Sequence, residues 1–203
     1  NRWSFQHVRE ILPTAEIWRG YGPVRALPRT DADLDNLSVA DAAGTSIPLM
    51  GFLDETYTDG FLVLKNGGIS YERYFNGMDH RTLHLSQSMS KSFVGMTAGI
   101  LASRGLLDVS APVTAYLPEL EQTGWRGATL QQVLDMTTGT RFSEDYVNPY
   151  SDVGQMDVAS DWKPVPPDSD ASFKWPRHMW ELITGLTETV RGHGDLFAYR
   201  SVE

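Results

Sequence analysis

The sequence predicts an α/β protein in which an antiparallel sheet is flanked by helices and joined to an all-α subdomain. Three observations predict this class: a hairpin pattern over 60–75, a helical periodicity that begins near residue 88, and further helical segments beyond residue 128. We expect two regions, 1–110 with the hairpin and the first long helix, and 111–203 with a helical subdomain and a long loop.

The hairpin is predicted because an apolar run, 61–64, is followed by the turn sequence 65–68 and by a nearly alternating run, 69–75. Asn66-Gly67 suits a two-residue turn, in which both residues need positive φ. Residues 1–50 are rich in Pro, Asp, Ala and Gly and are predicted to be an irregular leader with one short helix. No second strand run partners the hairpin, and a lone hairpin is marginally stable in water, so we expect further strands outside this sequence.

A long helix is predicted beside residue 88, because apolar residues recur there at the spacing of one helical face. These residues are Met89, Phe93, Met96 and Ile100. Arg104 and Gly105 suit its last turn and the left-handed residue that follows a helix.

The C-terminal region is predicted to hold two shorter helices separated by a long loop. The first runs over 129–136 with Thr129 as its N-cap. Residues 143–177 lack periodicity and are predicted to be a loop, and an amphipathic helix is expected over 180–190.

The composition excludes several kinds of function. A net charge of −9 disfavours nucleic acid and anionic membrane surfaces as partners, and the absence of Cys excludes disulfides, thiolate zinc sites and Cys nucleophiles. No run approaches the roughly 20 apolar residues of a membrane span. The first four residues show no signal-peptide pattern, so a cytoplasmic location is expected. We expect a small-molecule substrate and no metal or organic cofactor.

Ser88 and Lys91 form the candidate catalytic pair. A serine hydroxyl is a poor nucleophile without a neighbouring base, and residues i and i+3 share one face of a helix. A helix start also offers free backbone N–H groups to an oxyanion. A second Ser-x-x-Lys, Ser160 to Lys163, runs into prolines and cannot lead a helix. The alternative for the first pair is a helix cap beside a solvated lysine.

Several blocks around this pair occur in a fixed order: 86–93, 105–108, 112–120 and 129–139. They resemble the serine β-lactamase/penicillin-binding superfamily, and most closely its class C and carboxylesterase-like branch. Segments 144–146 and 197–201 are most similar to the 6-aminohexanoate-dimer (nylon-oligomer) hydrolases. The resemblance runs from about residue 60 to the end of the chain, and it implies a β-lactamase-like fold.

The resemblance also implies roles for individual residues. Ser88 would be the acylated nucleophile, Lys91 the group that takes its proton, and Tyr199 a second general base or proton shuttle. Tyr146 would hold the amide substrate and its leaving amine. Asp157 could face a cationic end of the substrate, although a solvated loop carboxylate is the simpler alternative.

Two departures from the family pattern bear on the activity. Ser201 stands where most relatives have Asn. The nylon-oligomer hydrolases share this departure, which disfavours a committed β-lactamase. The family's third motif, a Lys- or His-containing strand, is absent from the sequence. The C-terminal strands are therefore expected either in a longer protein, of which this chain is a truncated part, or in a second chain.

The resulting expectation is a serine hydrolase that cleaves an amide or ester bond through an acyl-enzyme on Ser88. Carboxylesters and short linear amides are the leading substrates. The alternatives are β-lactamase or D-amino-acid peptidase activity, a non-catalytic penicillin-binding-like protein, and an inactive fragment.

Overall fold

Two units, Asn1–Ser86 and Gln87–Glu203, make up the chain in the computed structural model, which describes residues 2–203. Antiparallel strand pairs with short helices form the first unit, and helices with long connections form the second. This mixture of helices and small antiparallel sheets confirms the predicted α/β class. The division into regions 1–110 and 111–203 stays a prediction.

In its described residues, 2–86, the first unit contains two hairpins and two α-helices. Its elements follow in this order: a 3-10 turn at Arg2–Gln6, α1 at Val8–Ile11, β1 at Ser38–Ala40, β2 at Ser46–Pro48, α2 at Leu49–Glu55, β3 at Gly60–Lys65 and β4 at Gly68–Tyr74. β1 and β2 pair antiparallel, so the leader predicted over 1–50 is not irregular throughout. Strands of three residues are too short to show a period of two, which explains why the pattern missed them.

The β3–β4 hairpin confirms the prediction made from Asn66-Gly67. The two strands are antiparallel and in register along their length, with one irregularity between Val63 and Leu64. Asn66 and Gly67 have φ of 52° and 78°, the left-handed values that a tight two-residue turn requires. Tyr71 of β4 is buried in the small core of this unit.

The second unit is helical. Its elements are a 3-10 turn at Gln87–Met89, α3 at Ser90–Ser103, 3-10 turns at Val113–Ala115 and Pro118–Gln122, α4 at Leu130–Leu134, α5 at Asp152–Ala159 and α6 at Met179–Gly185. Its core contains Val113, Leu120 and Trp125, all of them buried, with Ile183 and Val202 among the side chains packed against them.

α4 begins where the sequence predicts it. The Thr129 hydroxyl accepts the N–H of Gln132 at 3.2 Å, and the Gln132 side chain accepts the N–H of Thr129 at 2.9 Å. This reciprocal capping box satisfies two backbone donors that a helix start would otherwise leave unpaired. The helix is shorter than predicted, because it ends at Leu134.

Two predictions for the C-terminal region are wrong. Residues 143–177 are not a single loop, because α5 begins after Ser151, whose hydroxyl accepts the N–H of Gly154 at 3.1 Å. The predicted helix over 180–190 ends at Gly185, and Thr189 instead pairs in an isolated bridge with Thr140. Both differences have a physical reason: one cap starts a short helix without apolar periodicity, and backbone pairing ends the other early.

α3 confirms the predicted helix, and Gly105 follows it with φ of 68°, as expected. Its apolar face is not buried by any described residue: Phe93 is 60% exposed, Met96 59% and Ile100 51%. No helix in residues 2–203 is long and apolar enough to cross a lipid bilayer.

Candidate active site

Ser88 lies at the centre of the 3-10 turn Gln87–Met89, directly before α3. Gln87 has φ of 47°, a left-handed conformation that costs a non-glycine residue on the order of 1–3 kcal/mol. Such conformations persist only where the surrounding structure enforces them, and they cluster at functional sites. Ser88 itself is exposed, so its hydroxyl is open to a small molecule.

Tyr199 makes direct contact with Ser88. Its hydroxyl donates a hydrogen bond to Ser88 Oγ, across 111 residues of sequence. Both residues belong to the second unit, and Tyr199 is 40% exposed. The structure therefore brings together two of the residues that the resemblance singled out.

Lys91 lies in the first turn of α3 and is half-buried. Its ammonium Nζ donates a hydrogen bond to the backbone carbonyl of Ser201 at 2.8 Å, and it lies 6.0 Å from the centroid of the Tyr199 ring. This hydrogen bond of Lys91 goes to Ser201 and not to Ser88 Oγ, and the role of Lys91 as the group that takes the proton of Ser88 stays a prediction. Its charge still lies within the Ser88–Tyr199 cluster instead of pointing into bulk solvent.

Hydrogen bonds to residues 136 and 138 hold the segment that carries Tyr199 in place. The N–H of Ala198 donates to the carbonyl of Met136 at 3.0 Å, and the Thr138 hydroxyl donates to Glu203 Oε1 at 2.5 Å. Arg200 is buried and lies 3.7 Å from the Glu203 carboxylate, whose pKa is raised by burial. These contacts fix the backbone on both sides of Tyr199, which determines where its hydroxyl points.

Tyr146 and Glu144 lie at the other side of the same segment. The Tyr146 hydroxyl donates to Glu144 Oε2 at 2.5 Å and lies 3.4 Å from Ser201 Oγ. The hydrogen bond to Glu144 is the largest of the effects that raise the pKa of Tyr146 above its ordinary value. The Tyr146 side chain is 64% exposed, so it forms an accessible edge of the cluster.

Asp157 is not brought into this cluster by any recorded contact. Its carboxylate pairs with Lys163 Nζ at 2.7 Å, and the Asp157 side chain is only 17% exposed. A cationic substrate group would have to compete with Lys163 for this carboxylate. The substrate-binding role of Asp157 stays a prediction.

Glu144 is the site residue that the sequence reasoning missed as a functional group. The sequence indicates Glu144 only as part of the segment 144–146, whereas in the structure its carboxylate contacts both Tyr146 and Ser201. The available signal was Ser201 itself: a hydroxyl in place of an amide needs a neighbouring acceptor for its proton.

A second cluster of ionisable groups lies in the first unit around Asp59, which is 6% exposed. Its carboxylate accepts hydrogen bonds from Arg2 at 2.5 Å and Gln6 at 3.2 Å, and it bonds His84 at 3.1 Å. Burial alone would raise the pKa of Asp59, but these three hydrogen bonds outweigh it and lower the pKa below its ordinary value. Within residues 2–203, no group of three or more His, Asp or Glu side chains is arranged to hold a metal ion.

The comparison with protein families identifies the class of protein. Residues 53–181 match the family model described as Beta-lactamase. The chain belongs to the Beta-lactamase family, and the resemblance predicted from its sequence is confirmed.

The relatives narrow this class further. The chain is 37% identical over 195 residues to the 6-aminohexanoate-dimer hydrolase of Paenarthrobacter ureafaciens. The aligned region covers 96% of this chain and 45% of that protein. A shorter match, 39% identical over 59 residues, joins 29% of the chain to 16% of a Beta-lactamase of Escherichia coli (strain K12).

One solved structure matches the whole described fold. It comes from Bacillus anthracis and has been assigned as a 6-aminohexanoate-dimer hydrolase; the TM-score is 0.83 at 28% identity, over 99% of this chain and 52% of that one. The chain therefore has a β-lactamase-like fold, as predicted. It spans about half the length of this structure and of the first curated relative.

Proposed function

We propose that the chain carries the nucleophile of a serine hydrolase, with Ser88 as the residue that is acylated by an amide or ester substrate. The observation that carries this proposal is the hydrogen bond between Tyr199 and Ser88 Oγ, beside the half-buried Lys91. Membership of the Beta-lactamase family and the similarity to a named hydrolase support it.

Acylation begins after Tyr199 has released its own proton to solvent; the phenolate then accepts the hydroxyl proton of Ser88, in the reverse direction of the hydrogen bond in the structure. Ser88 Oγ then bonds to the carbonyl carbon of the substrate, and the positive charge of Lys91 offsets the negative charge that develops in the cluster. The C–N or C–O bond of the substrate breaks, and the leaving amine or alcohol takes up the proton. Water attacks the acyl-enzyme, releases the acid and restores the hydroxyl of Ser88.

The oxyanion of the tetrahedral intermediate is proposed to bind backbone N–H groups near Ser88. Ser88 lies two residues before α3, a 14-residue helix whose first N–H groups and positive dipole end favour negative charge. The N–H of Ser88 itself is the donor that we assign to this role.

Short linear amides and carboxylesters are the substrates that we propose. The similarity over 96% of the chain is to a 6-aminohexanoate-dimer hydrolase, and the exposed Tyr146, whose hydroxyl lies 3.4 Å from Ser201 Oγ, is proposed to bind the amide group. β-Lactams are the second candidate, because the short match is to a Beta-lactamase.

Hydrolysis of p-nitrophenyl acetate, 6-aminohexanoate dimer and nitrocefin tests this proposal. We expect the ester and the dimer to be cleaved, nitrocefin to be cleaved more slowly, and Ser88→Ala to abolish all activity. Ser160→Ala is the matched control, since Ser160 begins the other Ser-x-x-Lys and lies at the end of α5. Hydrolysis that survives Ser88→Ala would refute the assignment.

We further propose that strands from outside these 203 residues, in a longer chain or a second polypeptide, cover the apolar face of α3. The exposure of Phe93, Met96 and Ile100 supports this, together with the relatives' greater length. The test adds the part of the Paenarthrobacter ureafaciens hydrolase that the chain does not cover, as a separate polypeptide, and measures its binding to the chain. Met96→Asp should weaken binding, and undiminished binding of Met96→Asp would contradict this proposal.

A further inference from the structure

Glu144 gathers three donors from two segments of the chain. Its Oε2 accepts the Tyr146 hydroxyl at 2.5 Å and the Ser201 hydroxyl at 3.0 Å, while Oε1 accepts the backbone N–H of Ser201. Glu144 is half-buried, which strengthens these charge-assisted hydrogen bonds relative to those of a solvated carboxylate.

The contact with the backbone of Ser201 links Glu144 to the reactive groups. Glu144 holds the N–H of Ser201, and the carbonyl of the same residue accepts Lys91 Nζ at 2.8 Å. One end of Ser201 is therefore fixed by a carboxylate and the other receives the ammonium. If the N–H were released, the carbonyl could rotate, and Lys91 would lose the acceptor that keeps it beside Tyr199.

Ser201 also explains why a carboxylate is needed at this position. A serine hydroxyl that points into the cluster has one proton to donate, and Glu144 accepts it. The pair thus ties the loop that contains Tyr146 to the segment that contains Tyr199. Glu144 is therefore one of the side chains that set the spacing of the two segments.

We infer that Glu144 is a positioning residue, which sets the Ser201 carbonyl against Lys91 and holds Tyr146 at the edge of the site. It acts through these groups and does not contact Ser88. This inference rests on the proposed function, because it assigns Glu144 a part in the reactivity of Ser88.

The raised pKa of Tyr146 agrees with this role. A phenol whose proton is held by Glu144 stays a neutral hydrogen-bond donor at the edge of the site. Tyr146 can then donate its proton to a substrate amide only by giving up its hydrogen bond to the Glu144 carboxylate.

The rate of Ser88 phosphonylation by a fluorophosphonate tests the inference, with the maximal rate constant and the binding constant determined separately. We expect Glu144→Ala to lower the rate constant about 10- to 100-fold, the loss that misplacement of reacting groups by about 1 Å produces. The binding constant should change much less. Glu144→Gln, which keeps an acceptor for the N–H of Ser201, should restore part of the rate.

Two further variants separate positioning from folding. Asp145→Asn makes the same charge change one residue away, where the carboxylate caps the N–H groups of Val147 and Asn148, and it should react as the wild type does. Ser201→Ala removes only the hydroxyl contact with Glu144 and keeps the backbone N–H contact, so it should slow the reaction less than Glu144→Ala does. It should add little in the Glu144→Ala background, where both contacts are already lost.

The outcomes distinguish the two claims. If Glu144→Ala reacts at the wild-type rate, if its effect adds fully to that of Ser201→Ala, or if Asp145→Asn is equally slow, Glu144 has no positioning role. If the wild type itself does not react at Ser88, the proposed function fails instead. Thermal melting of each variant shows whether a slow rate reflects unfolding.

Discussion

Tyr199→Phe removes a single oxygen from the cluster and leaves the aromatic ring in place. The hydroxyl is the group that bonds Ser88 Oγ, so the variant loses the proposed proton acceptor. General-base catalysis contributes about 10²- to 10⁴-fold. At about 1.4 kcal/mol per tenfold, this corresponds to roughly 3–5 kcal/mol of transition-state stabilisation.

The cost to folding should be far smaller. Tyr199 is 40% exposed, and a hydrogen bond contributes only about 0.5–1.5 kcal/mol to stability, less where water can replace it. Initial rates of p-nitrophenyl acetate hydrolysis measure the first effect, and urea unfolding measures the second. We expect a loss of at least about 100-fold in rate with a nearly unchanged unfolding midpoint.

Tyr116→Phe is the matched control for this experiment. Tyr116 is 42% exposed and its hydroxyl accepts the N–H of Asp108 at 2.7 Å, outside the Ser88 cluster. It should cost a similar, small amount of stability and leave the rate unchanged. Equal rates for Tyr199→Phe and the wild type would refute the role of Tyr199 in proton transfer.

Three other predictions concern stability and ionisation. The folded state lowers the pKa of Asp59 below the ordinary 3.8, so its contribution is complete above that pH and is lost as the pH falls through the folded pKa. Asp59→Asn should therefore cost about 1–3 kcal/mol of unfolding free energy at neutral pH, and urea titrations should show this difference shrinking below pH 3.8. Phenolate absorbance should show a pKa of Tyr146 above the ordinary 10.0 in the wild type and closer to that value in Glu144→Gln. Leu120→Ala should lower the unfolding free energy by about 2–5 kcal/mol, because Leu120 is 4% exposed in the core; a loss below 1 kcal/mol would contradict this.

Local signals in the sequence predicted part of the fold correctly. Asn66-Gly67 specifies its turn through the φ values of two adjacent residues, and Thr129 with Gln132 specifies a helix start within one turn. The candidate pair of Ser88 and Lys91 depends on the same kind of local signal, a fixed spacing along a helix, and its catalytic role stays a prediction. Each of these features depends on residues close together in the chain.

Features that depend on distant residues were missed or misjudged. The bonds of Glu144 to Ser201 span 57 residues, and no local pattern reports them. The apolar spacing along α3 predicted a helix, yet spacing says nothing about which segment covers its apolar face. Tyr199 was assigned only by family resemblance, because its contact with Ser88 crosses 111 residues.

The most direct test of the account identifies the residue that a fluorophosphonate modifies. Intact mass and peptide mapping should show one label per chain, on the peptide that contains Ser88, in the wild type and in Ser160→Ala. Ser88→Ala should remain unlabelled. A label on any other residue, or undiminished labelling of Ser88→Ala, would contradict the claim that position 88 carries the nucleophile.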